Sequence, residues 1–135
     1  MAITAEHIWG WKQEVDLKPF LETLFEEPLI KSPDRFCHFD FQTTNYLIEL
    51  KSRMPPITPT TYPTYYVPCC KGKNLPADKE LVIFYYFPST NQLFYIIYSE
   101  EFENYKVIVN RNGQRTFCIP AEDFNEVCLV KTDGS

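Results

Sequence analysis

The chain predicts an α/β fold of α+β type, a mixed central sheet flanked by short helices, and three observations carry that expectation. Apolar residues Leu17, Phe20, Leu21, Leu24 and Phe25 recur at helical spacing. The run Leu81-Val82-Ile83-Phe84-Tyr85-Tyr86-Phe87 is apolar and aromatic throughout, as in a strand covered on both faces. Turn signals at Thr44-Asn45, Pro88-Ser89-Thr90-Asn91 and Asn112-Gly113 cut much of the remainder into strand-length pieces. At 135 residues the chain is expected to be one domain, 1–135, with room for a sizeable core.

The elements follow in order. Residues 1–15 read as a loose or briefly helical lead-in whose Trp9 and Trp11 cap the edge of the core. Residues 16–27 read as an amphipathic helix ended by Pro28. Polar and apolar residues alternate through much of residues 36–53, which predicts two strands joined at Thr44-Asn45. In that register positions summing to 89 face each other, so Asp40 opposes Glu49 and His38 opposes Lys51. Cys37, Phe39 and Phe41 then share the core face with Ile48 and Leu50.

Pro55, Pro56, Pro59, Pro63 and Pro68 exclude a regular helix or a central strand in the next stretch. A stiff loop is expected there, with Tyr62, Tyr65 and Tyr66 either stacking on bases or packing internally. Residues 80–87 and 93–98 are the central strands, and residues 99–105 a helical turn. Residues 106–110 and 114–119 flank Asn112-Gly113 as a hairpin, and residues 120–124 begin a closing helical turn. Residues 131–135 form a loose polar tail.

Composition limits function. The formal net charge of −5 argues against a general nucleic-acid coat, though a local basic groove needs only a few residues such as Lys51, Arg53, Lys71 and Lys73. No apolar run is long enough to span a membrane, and residues 1–7 lack the features of a secretory signal. The five cysteines match no zinc spacing. Vicinal Cys69-Cys70 could hold a soft metal or a strained disulfide, but free thiols in an intracellular, reducing compartment are the favoured reading.

Two carboxylates facing each other across a hairpin repel, and a divalent cation between Asp40 and Glu49 removes the objection. Hard oxygen ligands beside a lysine are the usual make-up of a Mg²⁺ or Mn²⁺ site that works on phosphate. At Asp40, Glu49, Leu50 and Lys51 the chain resembles the PD-(D/E)XK nuclease superfamily, whose signature is an acid on one strand and Glu/Asp, an apolar residue and Lys on the next. Tyr46 to Arg53, after Phe39-Asp40-Phe41 and before Tyr62-Pro63-Thr64, is similar to small members from giant DNA viruses, which would place the protein in a virion or in the host cytoplasm or nucleus. Pro33-Asp34 spells the family's literal Pro-Asp, but Asp34 falls beyond the ribbon and reads as turn chemistry.

The resemblance implies a restriction-endonuclease-like minimal core and an endonuclease or exonuclease acting on nucleic acid, DNA being the first expectation and RNA the second. Asp40, Glu49 and the Leu50 carbonyl would hold the metal, and Lys51 would act on the attacking water or on phosphate charge. His38 would be a further ligand or a polar neighbour of Asp40. A first-helix glutamate often assists in the family, and Glu27 is the best placed here, unless it is simply a solvated helix end. Arg53, Tyr62, Lys71 and Lys73 would contact nucleic acid, and a homodimer could address two strands. Two other readings stand beside this one: an inactive nucleic-acid-binding relative, and a structural or interaction protein in which Lys51 only neutralises the carboxylates. The proline-dense stretch occupies the place of a family helix and is where the chain departs most from the pattern.

Overall fold

The computed structural model describes residues 5–31, 39–72 and 75–129, and within the first helix the side chains of residues 12, 13 and 16 onward. Asp34, Cys37, His38 and Lys73 lie outside the described residues, as do the side chains of Trp9 and Trp11.

Helix α1 spans Ala5–Phe25, so the expected lead-in is helical from near its start, and Pro19 lies inside the helix. Leu17 and Leu21 are buried, whereas Leu24 is 44% exposed and leaves the apolar stripe. The helix stops before Pro28: Glu26 takes a positive φ of 59°, a left-handed conformation that breaks the helical repeat. Glu22 then accepts the Leu29 N–H at 2.8 Å, tying the exit segment back onto the helix.

Six strands form the main sheet: β1 Ile30–Lys31, β2 Phe41–Gln42, β3 Tyr46–Ser52, β5 Glu80–Phe87, β6 Gln92–Ile97 and β9 Asn125–Val127. Their order is β1-β2-β3-β5-β6-β9, with only β3 and β5 parallel. A second sheet has the order β4-β8-β7, from Thr64–Pro68, Arg115–Pro120 and Lys106–Val109. The Asn112-Gly113 hairpin is present, with Gly113 at φ 77°. The expected helical turns at residues 99–105 and 120–124 are 3₁₀ turns, Glu100–Asn104 and Ala121–Asp123.

Strand parity explains the layering. Val82 and Phe84 of β5 join Ile48 and Leu50 of β3 against Leu17 and Leu21 of α1. Leu81, Ile83, Tyr85 and Phe87 point the other way, onto Tyr65, Val67, Phe117 and Ile119 of the small sheet. The central strand is thus covered on both faces, as its uninterrupted apolar run requires.

Three elements depart from expectation. Strand β4 occupies the proline-dense stretch because, among the described residues, it is an edge strand paired with β8 alone, where a proline leaves no ladder bond unmade on its other side. Strands β1 and β9 are two and three residues long, too short for alternation to register. Cys69, Cys118 and Cys128 are free thiols, but Cys70 is disulfide-bonded, which sits poorly with the reducing compartment expected from the sequence.

Candidate functional site

The site lies at the Asp40 end of β2, beside the middle of β3. The Thr44-Asn45 turn forms as expected: Thr43 N–H donates to the Tyr46 carbonyl at 2.8 Å, and the register pairs Phe41 with Ile48 and Gln42 with Leu47. At Asp40 the ladder changes. Its N–H donates to the Ile48 carbonyl at 2.9 Å, although Ile48 is already the partner of Phe41. Two residues oppose one, so the strand bulges.

The bulge corrects two expectations. Phe39 packs against the inter-sheet core instead of sharing the helix-facing core with Phe41. Asp40 is not a regular strand partner of Glu49. Its carboxylate accepts the Leu50 N–H at 2.7 Å while its own N–H reaches Ile48, so it straddles Glu49 along β3. A strand residue's N–H and C=O point to the same side. The Leu50 carbonyl therefore faces the side on which Asp40 sits.

Glu49 and Lys51 share the β3 face that carries Leu47, turned toward the small sheet. Glu49 is only 6% exposed, and such a charge needs partners. It has two. Lys71, from the 3₁₀ turn Cys69–Gly72, places Nζ 3.2 Å from Oε2, and Lys51 places Nζ 3.8 Å from the same oxygen. Lys71 also lies 5.9 Å from the centre of the Phe39 ring, which the bulge brought to this face.

Arg53 continues the row beyond the strand. Its guanidinium lies 5.0 Å over the Tyr85 ring and donates to the Tyr85 hydroxyl at 3.3 Å. That hydroxyl donates to the Tyr66 carbonyl in β4. Burial pushes the Tyr85 phenol up to about 12, with Arg53 pulling against the shift and Glu49 adding to it. Among the described residues, Lys51, Lys71 and Arg53 against Glu49 and Asp40 make a local net charge of +1 on a chain of −5.

The structure therefore brings together Asp40, Glu49, Leu50, Lys51, Arg53 and Lys71. It takes Glu27 elsewhere: that carboxylate accepts the Thr44 N–H at the hairpin turn, about 13 Å of strand away from Asp40 at the usual rise. Glu27 acts there as a cap on the turn. Tyr65 is buried among Tyr85, Phe87 and Phe124, with its hydroxyl on the Pro59 carbonyl at 2.8 Å, so it is a core residue. Tyr62 and Tyr66 are 56% and 43% exposed and flank Arg53. Lys71, expected as a nucleic-acid contact, is the nearer of the two lysines to Glu49. No sequence signal joins residues 49 and 71, because Lys71 lies some twenty residues on, within the link from β3 to β5.

Asp40, Glu49 and the Leu50 carbonyl are hard oxygen donors. Two carboxylates suffice for a Mg²⁺ or Mn²⁺ that keeps waters and shares phosphate oxygens with its substrate, so the donor set fits such an ion. No group of three or more acidic, histidine or cysteine ligands occurs among the described residues. No helix of the described residues is long and apolar enough to cross a membrane. Comparison of the chain with protein-family models, with curated proteins and with solved structures found no match in any of the three.

Proposed function

We propose that this protein is a metal-dependent nuclease that hydrolyses phosphodiester bonds of DNA or RNA. One observation carries the reading: a bulge seats the Asp40 carboxylate on the Leu50 N–H, next along β3 to buried Glu49, with Lys51 Nζ 3.8 Å from the Glu49 carboxylate. The helix, the hairpin and the parallel β3–β5 pair are in keeping with a restriction-endonuclease-like core.

Asp40, Glu49 and the Leu50 carbonyl would hold Mg²⁺ or Mn²⁺. Once bound, the ion supplies Lewis-acid charge at the scissile phosphate. Lys51 orients the attacking water or offsets charge building on the phosphate. Arg53, pinned on Tyr85, holds the neighbouring phosphate, and Lys71 offsets the charge of Glu49 while the ion is away.

The Lys71–Glu49 pair also favours a second reading. A carboxylate already matched by two ammonium groups needs no cation, and the row Lys51–Arg53 could then bind nucleic acid without cutting it. The two readings separate on metal. Millimolar Mn²⁺ should raise the melting temperature relative to EDTA by linkage, and Lys71→Met should enlarge that rise by removing a competing cation. Cleavage of single-stranded, duplex or branched DNA in Mn²⁺ should follow the same dependence. Equal melting temperatures in Mn²⁺ and EDTA for both proteins, with no cleavage of any substrate, would reject the nuclease and leave the binding protein.

A further inference from the structure

A cavity of about 300 Å³ opens beside Arg53, where the chain leaves β3. Arg53, Ile57, Thr58, Tyr62, Tyr66 and Phe87 line it. We infer that this cavity receives one unpaired nucleobase next to the scissile phosphate, so that the substrate is a single strand or a frayed end and not an intact duplex. The inference rests on the nucleic-acid reading of the adjacent carboxylate site and names the substrate class for it.

Four features support the assignment. The volume lies at the floor of the usual range for small-ligand sites, roughly 300 to 1,000 Å³, which suits a single planar group. Tyr62 and Tyr66 are exposed aromatic residues in the wall of a depression, and neither hydroxyl bonds to protein among the described residues. A tyrosine kept exposed beside a packed core has a flat face to offer, and every base has one to match it.

Arg53 is already fixed by Tyr85 and uses one side-chain donor there, leaving most of its five for a phosphate or a base edge. Finally, Lys51 and Arg53 lie on one side of the same strand, about 7 Å apart at the usual rise, a span comparable to one nucleotide of an extended strand. A base bound here would place its own phosphate near Lys51. Inside a duplex a base shows only its edges, so a cavity built to receive a face selects bases that are unpaired or flipped out.

Thr58 sets the outer rim. Its N–H and hydroxyl are engaged by the Thr61 hydroxyl at 2.8 and 3.1 Å, so the loop that carries Tyr62 is internally braced. Ile57 donates its N–H to the Met54 carbonyl at 3.1 Å, and its own carbonyl accepts the Ser89 hydroxyl at 2.6 Å. The wall is therefore held in place before any ligand arrives, which lowers the ordering cost of binding.

The test is fluorescence anisotropy with a labelled short oligothymidylate, the same strand annealed to its complement, and the same strand with one abasic position, all in EDTA. The single strand should bind more tightly than the duplex. Tyr62→Ala should weaken single-strand binding by about 5- to 150-fold, the equivalent of one lost stack, and Tyr62→Phe should restore it. One abasic position, walked along the strand, should reproduce the loss at one place only. Duplex affinity equal to that of the single strand overturns the inference. So does single-strand affinity unmoved by both Tyr62→Ala and Tyr66→Ala in proteins of unchanged melting temperature. Because the assay contains no metal, its outcome is independent of cleavage: stacking without Mn²⁺-dependent cutting sinks the nuclease and keeps the cavity, and the converse does the reverse.

Discussion

The two faces of β3 are built from alternate residues of one seven-residue strand and do opposite work. Ile48 and Leu50 point at α1 and are buried among apolar side chains from both neighbouring strands. Glu49 and Lys51 point at the small sheet and hand over to Arg53, forming a charged row backed by the aromatic ring of Tyr85. The apolar face makes the strand rigid. The charged face can then hold its groups in fixed places, because the backbone beneath them cannot shift without breaking the core on the other side. That division should be visible in how each face answers substitution.

The largest effect is expected from the apolar face. Ile48 is fully buried, and Ile48→Ala should cost about 3 kcal/mol by lost transfer energy and an unfilled cavity, read as a lower denaturant midpoint at unchanged slope. A loss under about 1 kcal/mol would mean that α1 collapses into the gap and that the faces are not as distinct as described.

Next comes the charged face. Lys51→Ala should leave the midpoint within about 0.5 kcal/mol of the parent, since its partner Glu49 keeps the closer Lys71. Cleavage in Mn²⁺ should nonetheless fall on the order of a hundredfold, about 2.7 kcal/mol of transition-state stabilisation. A large stability loss with little change in rate would make Lys51 a structural ion-pair member and would blur the contrast.

The smallest effect concerns pH. Burial pushes the Tyr85 phenol up to about 12 from its ordinary 10. A raised folded value means that the folded chain keeps a proton that the unfolded chain releases. The associated stability is fully present below pH 10 and is lost as pH rises from 10 through 12. Tyr105 is also pushed up to about 12, by burial and then by its bond to Asp123, and loses stability in the same window. Tyr85→Phe should therefore flatten part of the alkaline loss, by roughly 2 kcal/mol or less across the window, and leave the Tyr105 share in place. An alkaline slope identical to that of the parent would place Tyr85 in contact with solvent.

The legible and illegible parts of the chain divide along physical lines. Period-two patterning exposed the two faces of β3, the 89-sum register at Phe41 and Ile48, and the turn at Thr44-Asn45, because each is local and repeats. The doubly covered β5 was legible for the same reason. The bulge was not, since a single residue's slip leaves composition unchanged, and it was the slip that sent Phe39 to the other core. Glu27 read as an acid assisting the metal or as a solvated helix end, yet its carboxylate, like that of Glu22, holds a backbone N–H group of the chain beyond the helix. Lys71 met Glu49 only through a crossover. Strand β4 was hidden by its prolines, whose exclusion of central strands says nothing against an edge.

The link between the parallel strands β3 and β5 has a consequence in time. Its described residues hold no α-helix to cover the sheet; they carry β4 and the turn that bears Lys71, and the described partner of β4 is β8, some fifty residues further on. A nascent chain emerging from the ribosome can form α1 and the β2–β3 turn early, but β4, which leads into the turn carrying Lys71, lacks its ladder partner until residues 115–120 have been made. Glu49 must wait for its nearest counter-charge through most of that interval. The candidate site is thus assembled by the last third of the polypeptide, although all of its carboxylates lie in the first half.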